Sequence, residues 1–151
     1  MTLVTRIPLR RHDDERGWFM ELMRASELPK PVRQANLARS RAGVIRALHY
    51  HERGQDDLFV CLQGMVRVVV LDRETGETFT EDIGDDNPVA IYVPGTKAHG
   101  YEALTDCLFC YFVTEEYDAA DPDEHGVSWN DPRVAPLWST QTPILSARDA
   151  V

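Results

Sequence analysis

Turn-forming clusters punctuate this chain at short and nearly even intervals. They are Asp13-Asp14-Glu15-Arg16-Gly17, Gln63-Gly64, Asp72-Arg73-Glu74-Thr75-Gly76-Glu77, Asp85-Asp86-Asn87-Pro88 and Pro94-Gly95. Between them lie short runs rich in β-branched and apolar residues, at positions 3–9, 32–38, 44–50, 58–62, 65–71, 78–83, 89–93, 101–104 and 107–114. Such runs suit strands, and Pro8 places the first of them near a sheet edge. A short helix starting at Ser26 is stopped by Pro29 and Pro31. Roughly eight to ten short strands with almost no amphipathic helix predict an all-β sandwich or barrel of jelly-roll type. No internal repeat or linker interrupts the pattern, so residues 1–151 read as a single domain.

Composition narrows the function classes. No apolar run approaches the ~20 residues needed to span a membrane, and Met1–Arg6 contains no secretory apolar core. Cys61, Cys107 and Cys110 are odd in number and lie in apolar, strand-like sequence. That pattern predicts reduced, buried thiols in a cytoplasmic protein. Cys107 and Cys110 form a C-x-x-C without a second pair or a helix start behind it, which weighs against redox or zinc chemistry there. The net charge of −9 is uneven: residues 1–53 hold 11 Lys/Arg against 6 Asp/Glu, whereas residues 54–151 hold 5 against 19. An acidic chain of this kind is not expected to bind nucleic acid. Its Arg-rich first third can hold a small anionic ligand, or simply pair with the acidic remainder.

One strand-like stretch, Gly43-Val44-Ile45-Arg46-Ala47-Leu48-His49-Tyr50-His51, carries an Arg and two His on an apolar segment. Alternation in a strand puts His49 and His51 on one face. Three readings stay open: a half-exposed structural strand, a catalytic base beside an anion-binding Arg, or a metal site. The spacing of Gly43, His49, His51, Asp57, Gly64 and His99 resembles the two-part signature of cupins, although the carboxylate is Asp and sits late. Three imidazoles and a carboxylate from His49, His51, Asp57 and His99 would suit Fe, Mn, Ni or Zn.

A second resemblance covers residues 13–149. Asp13–Glu21, Gln34-Ala35-Asn36, Gly43–Tyr50, Val93-Pro94-Gly95, Ala98-His99-Gly100-Tyr101, Phe109-Cys110-Tyr111, Thr114–Tyr117, Gly126–Pro132 and Leu145–Asp149 resemble consecutive blocks of the dTDP-4-dehydrorhamnose 3,5-epimerase family. The resemblance implies a cupin-type jelly-roll, a homodimer, a nucleotide-sugar substrate and no metal or other cofactor. It also implies enolate chemistry beside a 4-keto group, with a near-neutral base on one face and an acid on the other. His49 matches the base, Asp149 the carboxylate that orients it, and Tyr111 the proton donor. Gln34, Asn36 and Arg46 match residues around the pyrophosphate and sugar, and His99 lies near the sugar. Tyr117 matches an aromatic that packs on the nucleotide base. Arg16, Phe19 and Glu21 match residues that family members lend to the neighbouring subunit.

The resemblance departs at Asp57, where the family usually has a Lys that stabilises the enolate oxygen, and at His51, where Gln is common. A carboxylate at 57 is expected to repel an enolate. Two further readings therefore stand beside the metal-free epimerase: a metal-dependent cupin enzyme using His49, His51, Asp57 and His99, or a non-catalytic sugar-nucleotide-binding module.

Overall fold

In the computed structural model, residues 3–150 are described; Met1, Thr2 and Val151, the ends of the expected 1–151 domain, lie outside them. The strands are β1 (Thr5–Pro8), β2 (Arg11–Asp14), β3 (Gly17–Met20), β4 (Gln34–Ser40), β5 (Ile45–Tyr50) and β6 (Asp57–Gln63). They continue as β7 (Met65–Leu71), β8 (Thr78–Gly84), β9 (Val89–Val93), β10 (Ala98–Ala103), β11 (Cys107–Val113) and β12 (His125–Gly126). Two five-stranded sheets result, ordered β1-β9-β6-β11-β4 and β12-β5-β10-β7-β8, with β2-β3 as a separate hairpin. All named strand pairs are antiparallel. This is the expected all-β sandwich.

The count of strands exceeds the expected eight to ten. The extra elements are the β2–β3 hairpin and the two-residue β12. Arg11-His12-Asp13-Asp14 is polar throughout and shows no alternation, so only its turn was legible. The expected helix at Ser26 is a single 3-10 turn, Ala25–Glu27, cut short by Pro29. The strand expected at 101–104 begins earlier, with β10 opening at Ala98 soon after the Pro94-Gly95 turn.

Several strands are apolar on both faces over most of their length because both faces are covered. In β7, Val66, Val68 and Val70 point into the core between the sheets, while Val69 and Leu71 join an outer cluster. That outer cluster is closed by Val134 and Trp138 from the C-terminal segment. In β6, Phe59 and Cys61 face inward. Leu58 and Val60 face outward, beneath Leu9, Leu22, Met23 and Leu28 of the N-terminal segment. The period-2 rule therefore holds, but both phases are buried. The three cysteines are free and buried, as expected. Cys107 and Cys110 sit three positions apart on β11 and enter different clusters, so they cannot act as a pair.

Phe109 on β11 is fully buried at the centre of the sandwich. Its ring stacks on Tyr101 at 3.9 Å and meets Phe59 edge-on at 5.1 Å. Phe109→Ala is expected to cost about 3–5 kcal/mol, by lost transfer energy plus the cavity left behind. A urea titration showing a midpoint shift worth less than about 1 kcal/mol would contradict this placement of the core.

Candidate active site

The site begins where β5 and β10 fall out of step. His99 pairs with His49 and Tyr101 pairs with Arg46, so β5 advances three positions while β10 advances two. A bulge of this kind breaks the alternation of side chains. Arg46, His49 and His51 consequently all line one cavity of roughly 410 Å³, although 46 and 49 differ by an odd number. Gly100 makes the close approach possible: a Cβ there would collide with the Arg46 carbonyl oxygen and the Ala47 Cβ, and would lie 2.6 Å from the Ala47 Cα. Backbone cannot yield cheaply at that distance.

His49 is held by a residue one hundred positions away. Its Nε2 lies 2.9 Å from Asp149 Oδ1, and the Asp149 carboxyl is nearly buried. A carboxylate only accepts, so Nε2 carries the hydrogen and Nδ1 keeps a lone pair. The C-terminal segment brings Asp149 there in stages. Ser139 donates to the fully buried Glu102 of β10 through its backbone N–H (2.8 Å) and its hydroxyl. Ile144 then runs beside β5, with Ile144 N donating to Gly43 O (2.9 Å) and Ile45 N to Ile144 O (3.1 Å). Finally Asp149 N donates to Ser146 Oγ (3.1 Å), closing a turn. Arg148 stands beside the pair, with Nη2 at 3.4 Å from His49 Nε2 and Nη1 at 2.8 Å from Glu124.

Tyr111 comes from the facing sheet, on β11, and lines the same cavity. Burial pushes its phenol above the ordinary value, and the carboxylates of Asp57 and Glu124 add to the rise. It is therefore a protonated acid near neutrality.

The cavity opens into an outer vestibule that shares His51, Gln55, Tyr111, Glu124 and Arg148 with it and also includes Gln34, Asn36 and Tyr117. Gln34 orders this rim: its Nε2 donates to Asn36 Oδ1 (2.9 Å) and its Oε1 accepts from Tyr117 N (2.9 Å). Tyr117 itself is exposed. Arg46 holds its guanidinium with Nε donating to Ser40 Oγ at 3.0 Å. Arg16, Phe19 and Glu21 stand elsewhere. They lie on or just after the β2–β3 hairpin, with Arg16 bonded to Asp14, Glu21 paired with Arg24, and Phe19 65% exposed. They do not reach the cavity of their own chain.

The four residues of the metal alternative divide. His51, Asp57 and His99 come together, their ligating atoms all within 4.8 Å of one another, while His49 turns to Asp149. Asp57 is not the bare anion expected from its sequence position. His99 Nε2 lies 3.2 Å from Asp57 Oδ2 and His51 Nε2 3.7 Å from Oδ1. Burial works against an ionised Asp57, but His99 and then His51 hold its carboxyl below the usual range. Burial likewise opposes charge on His99, and Asp57 carries it above the ordinary imidazole value. His51 is depressed, by burial first and then by His99. The neighbouring Asp56 faces another way, accepting from Tyr92 Oη at 2.6 Å and Gly95 N at 2.9 Å. Sequence reasoning missed Arg148, Glu124 and Gln55. Adjacency to Asp149 was the only signal for Arg148, and Glu124 and Gln55 lie in loops without any motif.

The profile of the dTDP-4-dehydrorhamnose 3,5-epimerase family matches residues 2–151. The chain belongs to that family. Membership makes it a sugar-nucleotide epimerase, an isomerase. It is 39% identical over 141 residues to the spore coat polysaccharide biosynthesis protein SpsL of Bacillus subtilis, covering 88% of this chain and 93% of SpsL. It is 35% identical over 153 residues to the dTDP-4-dehydrorhamnose 3-epimerase of Streptomyces niveus, covering 90% of this chain and 72% of that protein. Among solved structures it is similar to the epimerase RmlC of Legionella pneumophila in complex with dTDP-4-keto-L-rhamnose. The TM-score is 0.88 at 27% identity, over 99% of this chain and 86% of that one. Among the described residues, no helix is long and apolar enough to cross a membrane.

Because Gly100 sets the spacing that aligns this epimerase's His49 and His99, Gly100→Ala is expected to cost about 1–3 kcal/mol or more by overpacking. Turnover by the folded variant should fall with it. Full activity and an unchanged melting temperature would show that β5 and β10 tolerate separation there.

Proposed function

We propose that this epimerase acts on a dTDP-linked 4-keto-6-deoxyhexose such as dTDP-4-dehydro-6-deoxyglucose, at C3 or at both C3 and C5. The observation that carries the reading is the His49–Asp149 pair on one sheet sharing a cavity with Tyr111 of the other. A C–H bond beside the ketone is acidic because its electrons delocalise onto the carbonyl oxygen. His49 Nδ1 takes that proton, and the resulting imidazolium is stabilised by Asp149. Tyr111 returns a proton to the same carbon from the opposite side, which inverts it. Two groups on facing sheets suit a reaction in which the proton leaves by one face of the ring and arrives at the other. Arg46, Gln34, Asn36 and His99 hold the sugar and diphosphate, and Tyr117 packs on the base. The relatives' names support a place in deoxysugar supply for polysaccharide.

His49→Ala should abolish solvent deuterium incorporation at C3 and C5 of the substrate. Tyr111→Phe should lower net epimerisation by about 10²–10⁴-fold while exchange at the carbon first deprotonated persists. Exchange surviving in His49→Ala would show that another residue is the base.

The exposed hairpin bearing Arg16, Phe19 and Glu21 supports a homodimer in which each chain completes its partner's site. Mixing inactive Arg16→Ala and His49→Ala chains should then restore about a quarter of wild-type activity, because half the dimers are mixed and each has one intact site. No recovery after subunit exchange would remove the shared-site reading.

A further inference from the structure

The proton relay makes no use of three buried side chains of the cavity, of which only His99 has a place in the substrate contacts proposed above. His51 follows β5, Asp57 opens β6 and His99 lies on β10, so the group bridges the two sheets on rigid supports. Each is at most 5% exposed. An ion pair between Asp57 and one imidazole would satisfy the carboxylate, and a second buried imidazole then adds only desolvation cost.

The backbone fixes how both rings are presented. His99 Nδ1 lies 2.7 Å from Lys97 O and His51 Nδ1 lies 2.6 Å from Asp123 O. A carbonyl accepts only, so each Nδ1 donates and each neutral ring turns the lone pair of Nε2 toward Asp57. This is the arrangement in which an outer carbonyl orients a metal-bound histidine. Gln55 closes the group on one side: its amide nitrogen stands 3.2 Å from His51 Nε2 and 2.9 Å from Asp57 Oδ1.

We propose that His51 Nε2, the Asp57 carboxylate and His99 Nε2 form a binding site for a divalent first-row transition metal ion. Imidazole and carboxylate together suit Zn(II), Fe(II), Ni(II) or Co(II), and three protein ligands leave a position open to the cavity. Neighbouring donor atoms around an ion with bonds of 2.0–2.2 Å lie about 3.0–3.5 Å apart. His99 Nε2 at 3.2 Å from Asp57 Oδ2 already has that spacing and His51 Nε2 at 3.7 Å from Oδ1 is slightly wider; with the three donor atoms all within 4.8 Å of one another, an ion would draw the rings inward. Rotation of the Gln55 amide would offer its oxygen as a fourth ligand. The site excludes His49, whose Nε2 is taken by Asp149. It stands on its three residues, independent of the epimerase's base assignment; an ion there would bring positive charge into the cavity where an enolate oxygen develops.

The test uses untagged full-length protein, stripped with chelator and titrated with Co(II) and Zn(II) by calorimetry and by the visible absorption of bound Co(II). One ion per chain is expected, with a Co(II) d–d spectrum that Zn(II) bleaches. His51→Gln, Asp57→Asn and His99→Gln should each weaken Co(II) binding by more than about 100-fold, beyond the usual effect of losing an outer hydrogen-bond partner. Circular dichroism would verify that each variant is folded, and the milder Asp57→Asn serves if a histidine variant is not. His49→Ala should bind Co(II) as the parent does. Absence of stoichiometric binding by the parent, or equal loss in His49→Ala, would overturn the proposal. Because the readout is binding, failure here leaves the deuterium-exchange test of the base untouched, and the reverse holds as well.

Discussion

Between Arg46 and His49, β5 carries one residue more than the stretch of β10 paired with it, and the contents of the cavity depend on that mismatch. A regular strand would alternate its side chains and send Arg46 and His49 to opposite faces. With the extra residue, the guanidinium and both imidazoles of the segment meet one space. The bulge is tight because Gly100 lets the two backbones approach without a Cβ between them. The C-terminal segment, pinned to β10 at Glu102 and zipped along β5 at Ile144, then completes the pair by delivering Asp149 to His49. The geometry of the candidate site is a property of one strand pair and the segment laid against it.

Charge is managed by partition. The cavity holds Asp57, Glu124 and Asp149 within a small space, an arrangement hostile to an anionic substrate if the carboxylates stood bare. None of them does. Asp149 faces His49, Glu124 faces Arg148, and Asp57 sits between two imidazoles. What a substrate meets is a set of paired dipoles and protonatable rings in a low-dielectric space, where small displacements of a proton or cation carry large electrostatic consequences. The two histidines of the Gly43–His51 stretch thus have different partners. His49 is coupled to the C-terminal segment, and His51 to the facing sheet.

Much of the architecture was legible because turns and strands are local. The clusters at 63–64, 72–77 and 85–88 are turns, and the strands between them fall within a few residues of the apolar runs. The β2–β3 hairpin escaped because it packs on no core and so needs no apolar alternation. Within the site, His49, Asp149 and Tyr111 could be named because they stand in a recognisable order of blocks, and the structure brings those three to one cavity. Arg148 could not, since a single Arg in a loop resembles any other surface cation. The expected repulsion at Asp57 also rested on its charge alone. The distances to His99 and His51, which reverse that conclusion, involve residues 42 and six positions away in the chain.

Sequence alone determined the strand-rich class, the free buried cysteines and the family, and it named His49, Asp149 and Tyr111 as the candidate base, carboxylate and facing acid. Those properties reside in residue type, spacing and order, which survive without coordinates. The tertiary structure decided how four candidate ligands divide into two groups, one gathered by Asp149 and one by Asp57. It also decided that Arg16, Phe19 and Glu21 lie away from their own chain's cavity. The physical reason is that hydrogen bonding and charge compensation act over about 3 Å in space. Only the folding of β5, β6, β10 and the C-terminal segment onto one another brings distant residues within that range.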